Sequence, residues 1–139
     1  VRKTTLFALL AVSLMAAEPS QQMIDAVKSS DVKALNTLIK AKEDANSAIV
    51  GNKTLLMLCA WEGKSDAANL LLNKGANINA TDSEGKTALM LAVWKEHISV
   101  VKLLIKHGAD KTIKNKDGLT AADIAELSGN GEIIDFLKN

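Results

Sequence analysis

The chain has 139 residues, 47% hydrophobic and 24% charged, with 17 basic against 16 acidic side chains, one Pro and eight Gly. This allows one modest domain with a core, and it excludes a disordered tail, a collagenous repeat or a Gly/Ser linker. One Cys and two His cannot supply a disulfide framework or a four-ligand zinc site, and near-neutral charge with 3% aromatics lacks the basic excess that nucleic acid requires.

Arg2 and Lys3 precede an apolar run from Leu6 to Ala17 broken only by Ser13, the pattern of a secretory signal peptide over residues 1–17. Twelve helical residues rise about 18 Å against a hydrocarbon core of ~30 Å, so the run is expected to be removed and not to anchor the chain. Cleavage is expected after Ala17, with Ala16 as the rival; the competing reading is a short buried N-terminal helix. Val1 where Met is ordinary fits a bacterial non-AUG start read literally. Cleavage takes away Arg2 and Lys3 and no acid, leaving 15 basic against 16 acidic residues and a net charge of about −1, which argues against attachment to an anionic membrane by charge.

From residue 54 onward the chain repeats itself every 33 residues. Thr54 returns as Thr87 and Thr120, Leu56 as Leu89, Trp61 as Trp94, Leu70-Leu71 as Leu103-Leu104, Gly75-Ala76 as Gly108-Ala109, and Gly85 as Gly118. Extended backwards, the register puts Gln21 at the Thr54 position. Four units result, at about 21–48, 49–81, 82–114 and 115–139, the first and last degenerate. A period of this length marks a solenoid of stacked units.

Apolar spacing within each unit predicts helices near 22–29, 32–41, 55–62, 65–74, 88–95, 98–107, 121–128 and 131–138. Thr54 and Thr87 serve as N-caps. Leu56, Cys59 and Ala60, like Leu89, Ala92 and Val93, make one apolar stripe, and Val100, Val101, Leu103, Leu104 and Ile105 another. Gly75 and Gly108 end the second helices, and Asp82-Ser83-Glu84-Gly85 and Lys116-Asp117-Gly118 read as loop-tip turns. At the ends the pattern turns polar: Met90 is answered by Asp123, Val93 by Glu126, Leu58 by Asp25 and Leu70 by Thr37, as capping units require.

These residues resemble the ankyrin repeats over about residues 21–139. The family's T-P-L-H-x-A appears as Thr54-Leu55-Leu56-Met57-Leu58-Cys59 and Thr87-Ala88-Leu89-Met90-Leu91-Ala92, followed by the Gly-Ala-Asn or Gly-Ala-Asp ending. Leu55 and Ala88 replace the Pro, and Met57 and Met90 the His, so the imidazole bond between neighbouring turns is lost. The resemblance implies an all-α solenoid of helix-turn-helix units with connecting hairpin loops.

Several residues invite a chemical reading. Gly85-Lys86-Thr87 and Gly63-Lys64-Ser65 match the end of a phosphate-binding loop, but Ala80 and Leu58 stand where its earlier Gly belongs. His97, His107 and Cys59 suggest a metal or haem site without any metal-binding spacing; turn-packed histidines and a buried thiol are the plainer reading. Asp123 and Glu126 could be imagined as an acid-base pair, and are expected to be solvated. No cofactor or catalytic group is assigned, and no enzyme is expected.

Two functions are carried forward. The resemblance implies a protein-binding module, which with the leader is expected to be a monomer exported to the periplasm as an adaptor, inhibitor or folding helper. The alternative is an accessory protein delivering haem or metal to a periplasmic redox enzyme such as a catalase, since some secreted bacterial ankyrin proteins resemble such accessories. The partner-binding surface is expected at Trp61 and Trp94, which the resemblance puts at variable concave positions, with Glu62, Lys95 and Leu127 beside them. Val50, Lys53, Ser83, Glu84, Lys86, Lys116, Asp117 and Leu119 are expected on the loop tips.

Overall fold

A computed structural model describes residues 19–139, so the expected leader lies outside the described residues. In chain order the elements are α1 (Gln21–Lys28), α2 (Val32–Leu38), a single turn α3 (Lys42–Ala45), β1 (Ala48–Ile49), β2 (Lys53–Thr54), α4 (Leu55–Glu62), α5 (Ser65–Asn73), α6 (Ala88–Trp94), α7 (Ile98–Lys106), α8 (Ala121–Ser128) and α9 (Gly131–Lys138). Each unit is a pair of antiparallel helices. The first helices α1, α4, α6 and α8 stack in one layer and α2, α5, α7 and α9 in a second, neighbour against neighbour.

Hydroxyl caps start the first layer. Thr54, Thr87 and Thr120 accept the N–H groups of Met57, Met90 and Asp123 at 3.2, 3.2 and 3.3 Å, satisfying amides that have no partner inside the helix. In the first unit Ser20, not Gln21, does this work, accepting from Met23 at 3.3 Å, so α1 begins one residue before its repeats. Between the layers lie Val27, Leu35, Leu56, Cys59, Ala60, Leu71, Leu89, Ala92, Val93, Val101, Leu104 and Ile133, all buried. Every unit shares this core with the next, so truncating Leu71 to Ala should cost ~2–5 kcal/mol.

The expected second helix of unit one, 32–41, stops at Leu38, and Ile39 goes extended with its side chain buried. The cause is local. Gly75 and Gly108 end α5 and α7 with φ of 92° and 84°, and the residue 33 before Gly75 is Lys42, for which that conformation is strained. The chain leaves the helix early, and Asp44 Oδ2 collects the N–H groups of Lys40 and Ala41 at 2.8 and 3.0 Å to begin α3. A two-residue antiparallel ribbon follows, Ala48 opposite Thr54 and Ile49 opposite Lys53.

The loops are tied to one another despite the missing imidazoles. Ser83 N–H donates to Gly51 O at 2.9 Å, and 33 residues on Lys116 N–H donates to Glu84 O at 3.0 Å. Asn46 accepts from Asn77 N–H and donates to Gly75 O, while Asn79 accepts from Asp110 N–H at 2.8 Å. The loops therefore form a hydrogen-bonded edge along the stack.

Candidate partner-binding surface

The last turns of α1, α4, α6 and α8 carry Lys28, Trp61, Trp94 and Leu127, one column at 33-residue spacing. Their side chains stay partly or largely open to solvent. Trp61 is 43% exposed, Trp94 60% and Leu127 69%. Lys95 Nζ lies 4.7 Å from the centre of the Trp61 ring, a cation-π contact that steadies one indole. Both indoles thus keep a large part of their surface exposed.

Between this column and the loop tips run two grooves. One, of about 360 Å³, is lined by Lys28, Ile49, Lys53, Met57, Leu58, Trp61, Glu62, Asp82, Glu84, Lys86 and Leu91. The other, of about 240 Å³, is lined by Trp61, Lys86, Met90, Leu91, Trp94, Asn115, Asp117, Leu119 and Ile124. The second is the first displaced by one unit: Lys53 gives way to Lys86, Met57 to Met90, Leu58 to Leu91, Asp82 to Asn115 and Trp61 to Trp94. Trp61, Leu91 and Lys86 belong to both, so the surface is continuous.

The structure gathers eight of the thirteen expected residues here: Trp61, Trp94, Glu62, Lys53, Glu84, Lys86, Asp117 and Leu119. Lys95 lies over Trp61 instead of lining a groove. Leu127 and Val50, the latter 91% exposed, sit at the ends of the surface, and Ser83 and Lys116 serve the loop ladder through their backbones. Sequence reasoning missed Lys28, Leu58, Leu91, Asp82 and Asn115, and with them the groove-lining Ile49, Met57, Met90 and Ile124. The spacing held the signal, since Lys28 stands 33 residues before Trp61 and Leu58 33 before Leu91.

Charge at the loop tips is arranged around one carboxylate. The Lys86 ammonium bonds Glu84, and with Lys53 and Lys116 nearby it holds the Glu84 carboxyl below its ordinary value and raises its own. Asp82 is buried and its Oδ1 accepts the N–H groups of Glu84 and Lys86, both at 2.9 Å, closing the turn. Asn115 does the same for Asp117 and Leu119 at 2.9 and 3.0 Å.

The other chemical candidates are held apart. His97 Nε2–H donates to the Trp61 carbonyl at 3.0 Å, His107 Nε2–H to Asn69 Oδ1 at 3.2 Å, and the two flank α7 at opposite ends. Cys59 is fully buried, and burial pushes its thiol up to about 12. Among the described residues no group of three His, Cys, Asp or Glu is placed to hold a metal ion. Asp123 is part-exposed, and its Oδ2 accepts from the N–H and hydroxyl of Thr120 at 2.9 and 3.0 Å, which holds its carboxyl below the usual range. Glu126 pairs with Lys138 at 2.7 Å. Thr87 is the cap of α6, and Gly63 the left-handed end of α4, so neither Gly-Lys-Thr nor Gly-Lys-Ser forms a phosphate loop.

The family profile described as Ankyrin repeats (3 copies) matches residues 23–115 and 84–139. The chain belongs to the ankyrin-repeat family. No curated protein matches it. Membership makes this helical solenoid a protein-protein interaction module, of a family that is typically non-enzymatic. No helix among the described residues is long and apolar enough to cross a membrane.

Proposed function

We propose that this ankyrin-repeat chain is an exported, monomeric module that binds one partner protein through its concave surface, as adaptor, inhibitor or folding helper in a bacterial periplasm. The basic-then-apolar order of Arg2, Lys3 and Leu6 to Ala17 supports export. One observation carries the binding site: two exposed indoles on consecutive units open onto a continuous pair of grooves. Trp is enriched at binding hot spots, and an apolar surface rimmed by polar residues is the usual mark of an interface. Delivery of haem or metal draws no support from His97 and His107, whose Nε2 atoms are engaged within the fold.

The test is capture of partners from native periplasmic extract, then titration of the purified partner. Trp61→Ala and Trp94→Ala should each weaken that binding by about 2 kcal/mol while leaving thermal stability nearly unchanged. Normal binding by both variants, or early unfolding of both, removes the indoles from the site. Mass spectrometry of the protein from its native host should find an N-terminus near Glu18; an abundant form retaining Arg2 would end the export reading.

A further inference from the structure

We infer that Lys95 is a positioning residue of the concave surface: its ammonium, brought from unit three, holds the Trp61 indole of unit two as a rigid anchor, while Trp94 is left as an adaptable contact. The inference rests on the concave surface being the binding site, and adds a division of labour between its two indoles.

The two rings stand at the same place in consecutive units, so the repeat alone would treat them alike. Their surroundings differ. Lys95 follows Trp94 at the end of α6, where its N–H donates to Leu91 O at 3.0 Å, and its side chain reaches back to unit two until Nζ lies 4.7 Å from the centre of the Trp61 ring. A cation over an aromatic face is attracted by the ring quadrupole, and Trp is the best of the aromatic hosts. The main chain beneath the ring is tied from the same unit: His97 Nε2–H donates to the Trp61 carbonyl at 3.0 Å. Ring and backbone of Trp61 are both held by unit three.

One unit on, both ties are missing. Ser128 takes the place of Lys95; it is uncharged, and its Oγ donates to Ala125 O at 2.8 Å within its own helix. Asn130 takes the place of His97, and its Oδ1 accepts from Ile133 N–H at 3.2 Å as the cap of α9. Among the described residues no Lys or Arg lies over the Trp94 ring, which is 60% exposed against 43% for Trp61. Fixing a free side chain at an interface costs conformational entropy when the partner arrives, and a ring fixed beforehand avoids that cost. Trp61 therefore meets the partner already placed, and Trp94 adjusts to it.

Each ring can be read separately, because Trp61 and Trp94 are the only Trp and the chain has no Tyr. In Trp94→Phe the remaining Trp61 should be quenched by acrylamide less steeply, and keep a higher fluorescence anisotropy, than Trp94 does in Trp61→Phe. Lys95→Met keeps an apolar side chain and removes the charge. It should raise the quenching of Trp61 and lower its anisotropy toward the values of Trp94, with Trp94 itself and the thermal midpoint unchanged. Lys95→Arg should restore both, since a guanidinium also stacks on Trp. Against the partner purified by capture, Lys95→Met should weaken binding about two- to fivefold, and should do nothing once Trp61 is replaced by Ala, as a residue acting only through the ring requires.

Equal quenching and anisotropy of the two rings overturns the inference, as does a Trp61 indifferent to Lys95→Met. An undiminished effect of Lys95→Met in the Trp61→Ala background overturns it too, by making Lys95 a direct contact. In each of these cases the concave site stands as long as Trp61→Ala and Trp94→Ala weaken binding. If neither does, the site falls and the anchor with it, whatever holds the ring.

Discussion

At the tip of the loop between units two and three, the buried Asp82 carboxylate takes the N–H groups of Glu84 and Lys86, and one unit on Asn115 does so for Asp117 and Leu119. Thirty-three residues before Asp82 stands Ile49, which has no acceptor to offer. There the backbone closes the turn itself, Ile49 pairing with Lys53 and Ala48 with Thr54 around a tip in which Gly51 and Asn52 take φ of 76° and 57°. The first loop is held by its strand ladder alone, whereas the second keeps a backbone bond at the same place, Asp82 N–H to Lys86 O at 3.0 Å, and adds the side-chain acceptor. A buried amide must find a partner, and the partner's chemistry follows from the residue at hand.

The largest effect should come from removing the side-chain acceptor. Asp82→Ala leaves two part-buried N–H groups unpaired and should cost about 2–3 kcal/mol by chemical denaturation. Ile49→Ala, at the equivalent position, loses only part-buried apolar area and should cost about 1 kcal/mol. Asp82→Asn keeps an acceptor oxygen and should recover most of the loss. Equal costs for Asp82→Ala and Ile49→Ala would erase the distinction between the loops.

A second pair of positions sharpens the contrast. The residue ending each first-layer helix has positive φ in every unit: Ser30 at 61°, Gly63 at 73°, Glu96 at 57° and Gly129 at 75°. Units one and three accept the strain of a side chain in a left-handed turn, but unit two cannot. A Cβ on Gly63 would stand 2.7 Å from His97 Nδ1, and that ring is held by its bond to the Trp61 carbonyl. Gly63→Ala should therefore cost about 2 kcal/mol, whereas Gly129→Ala, with open space around it, should cost about 1. Thermal unfolding of the two variants side by side decides whether the histidine adds to the backbone strain.

Much of this was legible in the sequence, and the reasons are specific. Thr54 and Thr87 announced their helix starts because a cap acts within three residues, and the 33-residue period carried the same position to Thr120 and announced the stacking. The early end of α2 was less visible, because its cause is the absence of a Gly at Lys42 inside an otherwise apolar pattern. Seven of the eight gathered site residues were read from loop tips or from the indoles, and the eighth, Glu62, from its place beside Trp61. Leu58 and Leu91 were read as repeat-motif and core residues; Leu91 is indeed buried and Leu58 partly so, and both still floor a groove. Lys28 was overlooked because the column it begins is otherwise apolar.

A smaller effect of opposite sign is expected at Glu96. It occupies the left-handed position that Gly63 and Gly129 fill with glycine, and Glu96→Gly should relieve that strain at some cost in unfolded-chain entropy. The net is a gain of about 0.5–1 kcal/mol, read as a raised midpoint of thermal unfolding. Ser30→Gly in unit one should gain about as much, and a loss at either site would show that the side chain makes contacts outweighing its backbone.

The smallest effect concerns pH, again at the second loop and not the first. Lys86 holds the Glu84 carboxyl below its ordinary value of 4.5 by hydrogen bond and charge, with Lys53 and Lys116 adding to it. A carboxyl whose folded pKa is depressed binds fewer protons in the folded chain than in the unfolded one, so it contributes stability above its unfolded pKa. That contribution is complete at neutral pH and fades as pH falls through the folded value. Gly51 occupies the Glu84 position in the first loop and has nothing to titrate. Glu84→Gln should therefore flatten the acid limb of the melting-temperature profile between about pH 5 and 3, with little change at pH 7 because solvent screens an exposed pair. An acid limb as steep in Glu84→Gln as in the parent chain would assign the pH dependence elsewhere, with Asp123 beside Thr120 the next group to replace.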